Sequence, residues 1–289
     1  MFLTSFYDPA TSALTFGGFT AEGLIPIQRA VDRQHWLYDR NLGEVVAHPS
    51  GIQEALEALS RVSPSLGLDQ VRYAPVIPRP PKVVCIGQNY WDHCREQKVN
   101  PPDRPILFAK LPNAYNAHRE LIPVPPGCTQ LDYEAELGVV IGRTAHRVTP
   151  ESALDYVAGY TPVNDVSARD FQFGDRQWLR GKSQNGFAPM GPVLVPAEVV
   201  SDPQQLAIRC WVNDQLVQDS HTGEMIFDVR TLIAFISQGI TLEPGDVVFT
   251  GTPNGVGIFR NPPLLLQPGD LVSVQIADWP RLENRIGPS

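Results

Sequence analysis

The sequence predicts an α+β, strand-rich chain, with a small N-terminal α/β domain over residues 1–75 and a larger domain over 76–289. Three observations carry this. Beyond residue 82, short apolar runs of strand length follow one another, separated by Pro-Gly turns at Pro126-Gly127, Pro244-Gly245 and Pro268-Gly269. Helical periodicity is sparse and does not alternate regularly with strands, as a doubly wound parallel sheet requires. Pro75, Pro78, Pro80 and Pro81 fall together. Such a run neither continues a helix nor sits in a central strand, so it places a boundary near residues 74–81.

Taken in order, the N-terminal part holds short strand-like runs and one clear helix. After Pro49-Ser50-Gly51, apolar Ile52, Leu56, Leu59 and Val62 recur at helical spacing, with Ser50 as the cap. In the larger part, strands are expected at Lys82–Ile86, Ile106–Ala109, Leu137–Ile141, Val193–Val195, Leu206–Val212, Val247–Thr250 and Leu271–Ile276. Helices are expected over Asp92–Gln97, with Asn89 as cap, and over Phe227–Gln238. Another is expected to start over Pro150–Tyr156, with Thr149 as cap and Pro150 at the first position.

With 289 residues and 43% apolar side chains, the chain can bury a sizeable core. Its 28 prolines beside 19% charged residues read as compact and loop-rich rather than disordered. The net charge is −8 and no Lys/Arg run is placed to track a phosphate backbone, so nucleic-acid binding is not expected. No apolar run approaches the roughly 20 residues of a membrane span. Met1–Ala10 has no basic stretch followed by an apolar core. The expectation is a cytoplasmic protein without membrane contact. Cys85, Cys94, Cys128 and Cys210 lack zinc-site spacing and read as free thiols. Cys94 follows His93, but neighbours in sequence rarely face each other, so a Cys–His nucleophile is not expected.

The candidate chemistry lies in a few segments. In Asp132–Gly142, read as a strand, alternation puts Tyr133, Ala135, Leu137, Val139 and Ile141 on one apolar side and Glu134 and Glu136 together on the other. Two carboxylates at that spacing repel. Either they lie on an exposed strand face, or they line a cleft where a hard divalent cation compensates them. Asp165 stands where an apolar stretch gives way to a polar, helix-permitting one; it is either a helix cap or a third carboxylate for the same site. His93 and Glu96, three apart, share a helical face. They form either a surface ion pair or a carboxylate-oriented base that takes a proton from water. Gly181-Lys182-Ser183 is not a phosphate loop, because Arg176 stands where its first glycine belongs. Lys182 and Arg169 remain candidate positive groups for an anionic substrate. Residues 249–257 form a glycine-rich loop after a strand. It is either a tight turn without a ligand, or a cradle whose free amides, with the Thr252 hydroxyl, hold a carboxylate.

Taken in order, several blocks resemble the fumarylacetoacetate hydrolase family: Ile86–Tyr90, Asp92-His93 with Glu96, Phe108–Lys110, Tyr133–Ile141, Asn164–Asp170, Gly181–Ser183, Thr250–Gly257 and Pro268–Asp270. The resemblance covers residues 82–286. It implies a mixed β-roll or sandwich that carries the site, usually in a homodimer, with Mg²⁺ or Mn²⁺ (Ca²⁺ in some members). It implies Glu134, Glu136 and Asp165 as metal ligands, His93 and Glu96 as an acid/base pair on a segment that often acts as a lid, and Lys182 as a catalytic lysine. Arg169 and Thr252 match positions near the carboxylate or oxo groups of the substrate, and Lys110 matches a family lysine placed here with them. Gln88 departs from the pattern. Some acylpyruvate-cleaving and decarboxylating members have arginine there, so an extra positive charge for a second carboxylate is missing beside this expected substrate contact.

The implied activity is metal-dependent hydrolysis of a C–C bond in a small 2,4-dioxo acid, such as an acylpyruvate or fumarylpyruvate. The Glu96–His93 pair would deprotonate a water, Lys182 would stabilise the oxyanion, and the leaving group would be the enolate of a 2-oxo acid. The same enolate chemistry permits decarboxylation or tautomerisation of oxaloacetate and isomerisation of a 2-hydroxy-dienoate. A non-catalytic binding protein on this scaffold is the remaining alternative.

Overall fold

Runs of β-branched and aromatic residues near the N-terminus form β1 (Phe2–Tyr7), β2 (Leu14–Thr20) and β3 (Gly23–Pro26). With β4 (Arg72–Tyr73) they make an antiparallel sheet ordered β3-β2-β1-β4 in the computed structural model, which describes residues 1–288. Two helices follow β3 rather than the one expected: α1 (Leu42–Ala47) and α2 (Gly51–Leu59). The first is too short to show periodicity, but it carries a capping box. Asn41 accepts from the Glu44 amide while the Glu44 carboxylate accepts from the Asn41 amide. Ser50 sits at the start of α2 but does not cap it; its hydroxyl donates to the Glu54 carboxylate instead.

The larger part supplies β5 (Val83–Gly87), β6 (Ile106–Lys110), β7 (Ala135–Ile141), β8 (Val157–Asn164), β9 (Val195–Pro196), β10 (Ala207–Val212), β11 (Gln215–His221), β12 (Val247–Phe249), β13 (Leu271–Ile276) and β14 (Leu282–Arg285). A six-stranded open sheet runs β9-β8-β7-β12-β5-β6, antiparallel except where β12 meets β5. A four-stranded antiparallel sheet runs β11-β10-β13-β14. The N-terminal sheet adheres to the six-stranded one through paired Leu3–Leu194 backbone bonds, and Thr4 and Ser5 donate to the carbonyls of Pro192 and Val76. Apolar residues of both parts join one buried cluster.

Strand β7 lies inside the six-stranded sheet, and all its residues are buried. This excludes the exposed-face reading of Glu134 and Glu136, which are 6% and 1% exposed. The α-helices among the described residues of this part are α3 (Trp91–Gln97), α4 (Arg169–Asp175), α5 (Trp178–Lys182) and α6 (Val229–Ser237). Tyr90, not Asn89, precedes α3 as its cap position. The Asn89 carboxamide donates to the carbonyls of Thr250 and Phe227 and accepts from the Phe227 amide, tying the approach of α3 to the end of β12. Only Ala153–Tyr156 turns, as a single 3₁₀ turn without a Thr149 cap. Helix α6 starts at Val229 because Asp228 accepts from the Thr231 amide.

Candidate active site

The antiparallel register of β7 and β8 pairs Val163 with Glu136 and Asn164 with Ala135. The next residue, Asp165, then donates its amide to the Glu134 carbonyl at 2.9 Å. Strand alternation keeps Glu134 and Glu136 on one side, and the register brings Asp165 across from them. The three buried carboxylates place ligand oxygens within 4.8 Å of one another. Asp165 is not a helix cap, because α4 begins only after Ala168.

Three cations lie against this cluster. Lys182 Nζ donates to Glu134 at 2.7 Å and to Asp165 at 3.0 Å. Lys110 Nζ lies 2.6 Å from the other Asp165 oxygen, and Arg169 Nη1 lies 2.7 Å from Glu134. Burial alone pushes the Glu134 carboxyl up, but Lys182 and then Arg169 outweigh it and hold the pKa at about 2. Glu136 goes the other way. Burial first, then Asp165 and Glu134, push its pKa well above the usual carboxylate range, and its hydrogen-bond donor is the Gly251 amide at 2.8 Å. Among the described residues no cation makes an ion pair with Glu136; Lys182 acts on it only at longer range. The donor set is all oxygen, which fits a hard divalent ion such as Mg²⁺, Mn²⁺ or Ca²⁺.

Lys110 is closed off from any ligand. Its ammonium is buried and donates to the carbonyls of Val166, Lys182 and Phe187. It therefore braces the cluster from behind, which corrects its expected place among the substrate contacts. Arg169, Lys182, Gln88, Thr252 and His93 do line one cavity with Glu134. Arg169 is spread over Asp132, Gln172 and Glu134, yet its buried Nη2 has no partner among the described residues. A buried, unsatisfied guanidinium nitrogen beside a cavity is a donor for an anion.

The glycine-rich loop after β12 is a carboxylate cradle, but the carboxylates are the protein's own. Amides of Gly251, Asn254, Gly255, Gly257 and Ile258 donate to Glu136, Asp92, Glu96 and Asp132. The Thr252 hydroxyl donates to the Ala135 carbonyl and accepts from Gln218, so the loop positions the site residues and leaves that hydroxyl engaged. His93, 6% exposed, sets Nδ1 3.1 Å from Glu96. This excludes the surface ion pair. His93 faces the cavity, and Glu96 lies behind it, held by Gly255. Cys94 is buried, and burial pushes its thiol up, so it is no nucleophile. All four cysteines are free.

Sequence reasoning missed Gln172, Gln97, Trp178 and Phe259, which also line the cavity. Gln172 lies three residues after Arg169 and Gln97 four after His93, so helical spacing was an available signal for both. For Trp178 and Phe259 only the fold brings them in. The Trp178 ring occupies the space a side chain on Gly87 would fill, 2.2 Å from where its Cβ would stand.

The family model for the fumarylacetoacetate (FAA) hydrolase C-terminal domain matches residues 82–287. An oxaloacetate tautomerase of Xenopus laevis, named as mitochondrial, is 44% identical over 239 residues, which cover 82% of this chain and 75% of the relative. Its name sets it apart from the cytoplasmic expectation made here. The structure of a fumarylacetoacetate hydrolase from Exiguobacterium antarcticum is similar at TM-score 0.82 and 34% identity, covering 100% of both chains. A maleylpyruvate hydrolase from Sphingobium sp. SYK-6, in complex with manganese(II) and pyruvate, matches at TM-score 0.80 and 27% identity, again over 100% of both.

Proposed function

This chain belongs to the fumarylacetoacetate hydrolase family, and from that premise we propose that it is a metal-dependent tautomerase that interconverts the enol and keto forms of oxaloacetate or a close 2-oxo acid. The observation that carries this reading is one cavity lined by a carboxylate-backed imidazole, an arginine whose guanidinium keeps an unpartnered nitrogen, and Glu134, which belongs to a metal-fitting trio of buried carboxylates. The 44% identical relative named as an oxaloacetate tautomerase favours it over the hydrolysis expected from the sequence.

Glu134, Glu136 and Asp165 would hold Mg²⁺ or Mn²⁺. Bound there, the cation would supply positive charge that eases removal of a proton from C3. Arg169 Nη2 donates to a substrate carboxylate oxygen. His93 carries the proton to or from C3, and Glu96 stabilises the ring while it is charged. Lys182 steadies the negative charge that develops on oxygen. The Gln88 carboxamide offers a neutral hydrogen bond to the far end of the substrate. No bond between heavy atoms changes: one proton leaves the enol oxygen and one is gained at C3.

C–C hydrolysis of a 2,4-dioxo acid is the second reading, favoured by the likeness to the maleylpyruvate hydrolase with pyruvate bound. Enol absorbance separates the two. With Mg²⁺, the protein is expected to speed the decay of enol-oxaloacetate, and EDTA to abolish the effect. Cleavage of acetylpyruvate with no effect on oxaloacetate would overturn tautomerisation in favour of hydrolysis. A homodimer belongs to the same proposal, supported by the family resemblance; light scattering reading twice the 31.9 kDa chain mass checks it. We also keep cytoplasmic residence as a proposal, with the relative's mitochondrial label as the competing assignment; fractionation decides.

A further inference from the structure

His93 and Gln97 lie four apart on α3 and share a face. The Gln97 carboxamide nitrogen is 2.6 Å from His93 Nε2, and the Gln97 oxygen accepts from the Gln88 carboxamide at 3.4 Å. On the other edge of the ring, Nδ1 meets Glu96, whose second oxygen accepts from the Gly255 amide at 2.9 Å. A carboxamide nitrogen only donates. The Glu96 carboxylate only accepts, so the one ring proton of a neutral His93 sits on Nδ1, and Nε2 accepts from Gln97. Gln88 makes its contact from a left-handed backbone, φ +53°, which is uncommon for a residue with a side chain and marks a constraint.

We propose that Gln97 is a positioning residue for the acid/base step: it fixes His93 in the Nδ1–H tautomer, so that the proton-accepting lone pair is on Nε2 at the cavity, and Gln88 fixes the orientation of Gln97. When Nε2 takes a proton, the Gln97 nitrogen loses its acceptor. The carboxamide must then turn its oxygen to Nε2, and Gln88 must turn with it. Ring proton and amide pair form one coupled unit. The consequence for turnover rests on the proposed proton transfer, but the tautomer is a property of the substrate-free protein.

The test uses the full chain with Mg²⁺, its histidine rings labelled with ¹⁵N, under conditions where the ring of His93 is neutral. His93 is assigned by the signal lost in His93→Asn. The expected result is the Nδ1–H pattern in the wild type and a shift towards Nε2–H in Gln97→Met, which keeps the length of the side chain and removes both polar atoms. Gln88→Leu is expected to shift it in the same direction, and less. Turnover of oxaloacetate by Gln97→Met should fall about tenfold in kcat with KM little changed, short of the roughly 10²–10⁴-fold expected on removing a general base. An Nε2–H pattern in the wild type, or His93 signals unmoved by Gln97→Met, overturns the inference. The expected tautomer in a protein that does not act on oxaloacetate leaves this inference standing and sinks the tautomerase reading instead.

Discussion

Lys110 and Lys182 bring the same charge to the same carboxylates and serve them differently. The ammonium of Lys182 lines the cavity, whereas that of Lys110 is spent on Asp165 and three carbonyls. Burial lowers the Lys110 pKa, and the neighbouring Asp165 opposes that. Removing one partner of a buried ion pair leaves the other uncompensated, at a cost of about 3–5 kcal/mol. Lys110→Met leaves Asp165 with Lys182 alone and three carbonyls without their donor, so it should lose stability by up to that much in a denaturant melt, although its ammonium lies outside the cavity. A loss below about 1 kcal/mol would show that Lys110 is not a needed counter-charge of Asp165. Period-2 spacing made the Glu134/Glu136 pair legible in the sequence. The bracing place of Lys110 was not, because nothing local tells a lysine pointing into a site from one pointing at its back.

At the scale of the element, the loop after β12 joins the strand, helix α3 and the buried carboxylate cluster. Gly251 has φ +96°, and a Cβ there would stand 2.7 Å from that of Asn89. Gly127 also has a positive φ, +79°, but open space around it. Alanine at Gly127 meets only the backbone strain, about 1 kcal/mol; alanine at Gly251 also meets the clash and shifts the amide that holds Glu136. Gly251→Ala is expected to destabilise more than Gly127→Ala and to weaken Mg²⁺ binding in calorimetry, which Gly127→Ala should leave unchanged. Equal effects of the two would remove the loop from the metal site. The glycine-rich pattern revealed a cradle for carboxylates. Which carboxylates fill it depended on Glu136, Glu96, Asp92 and Asp132 arriving from elsewhere in the chain.

For the whole molecule, the buried cluster links stability, pH and metal. The folded-state pKa of Glu136 is raised above its ordinary 4.5, so the folded chain holds a proton that the unfolded chain releases. In EDTA, this group makes stability fall as pH rises above about 4.5. Glu134, held at about 2, acts in a separate window: its contribution is complete above its ordinary 4.5 and is lost as pH falls towards 2. Mg²⁺ binding favours the deprotonated Glu136 and adds about 2.7 kcal/mol at 100 times its Kd. The gap between melts with Mg²⁺ and with EDTA should therefore widen as pH rises. A gap that narrows would contradict Glu136 as a ligand. The division near residues 74–81 stays our proposal at this scale; the N-terminal sheet nevertheless shares one buried cluster with the rest.

The sequence by itself determined the strand-rich class, the order of the main strands, the carboxylate pair at the start of β7 and the His93–Glu96 spacing, because these depend on local periodicity. Blocks resembling a family supplied Asp165 and Lys182. Only the tertiary structure decided that the carboxylates are buried rather than exposed, that Lys110 braces while Arg169 keeps a free donor, and that Gln97 meets His93. Burial and pairing depend on which distant segments pack together. The register between β7 and β8 sets some of those contacts, and the return of the loop after β12 to Glu136 sets others across 115 residues of chain.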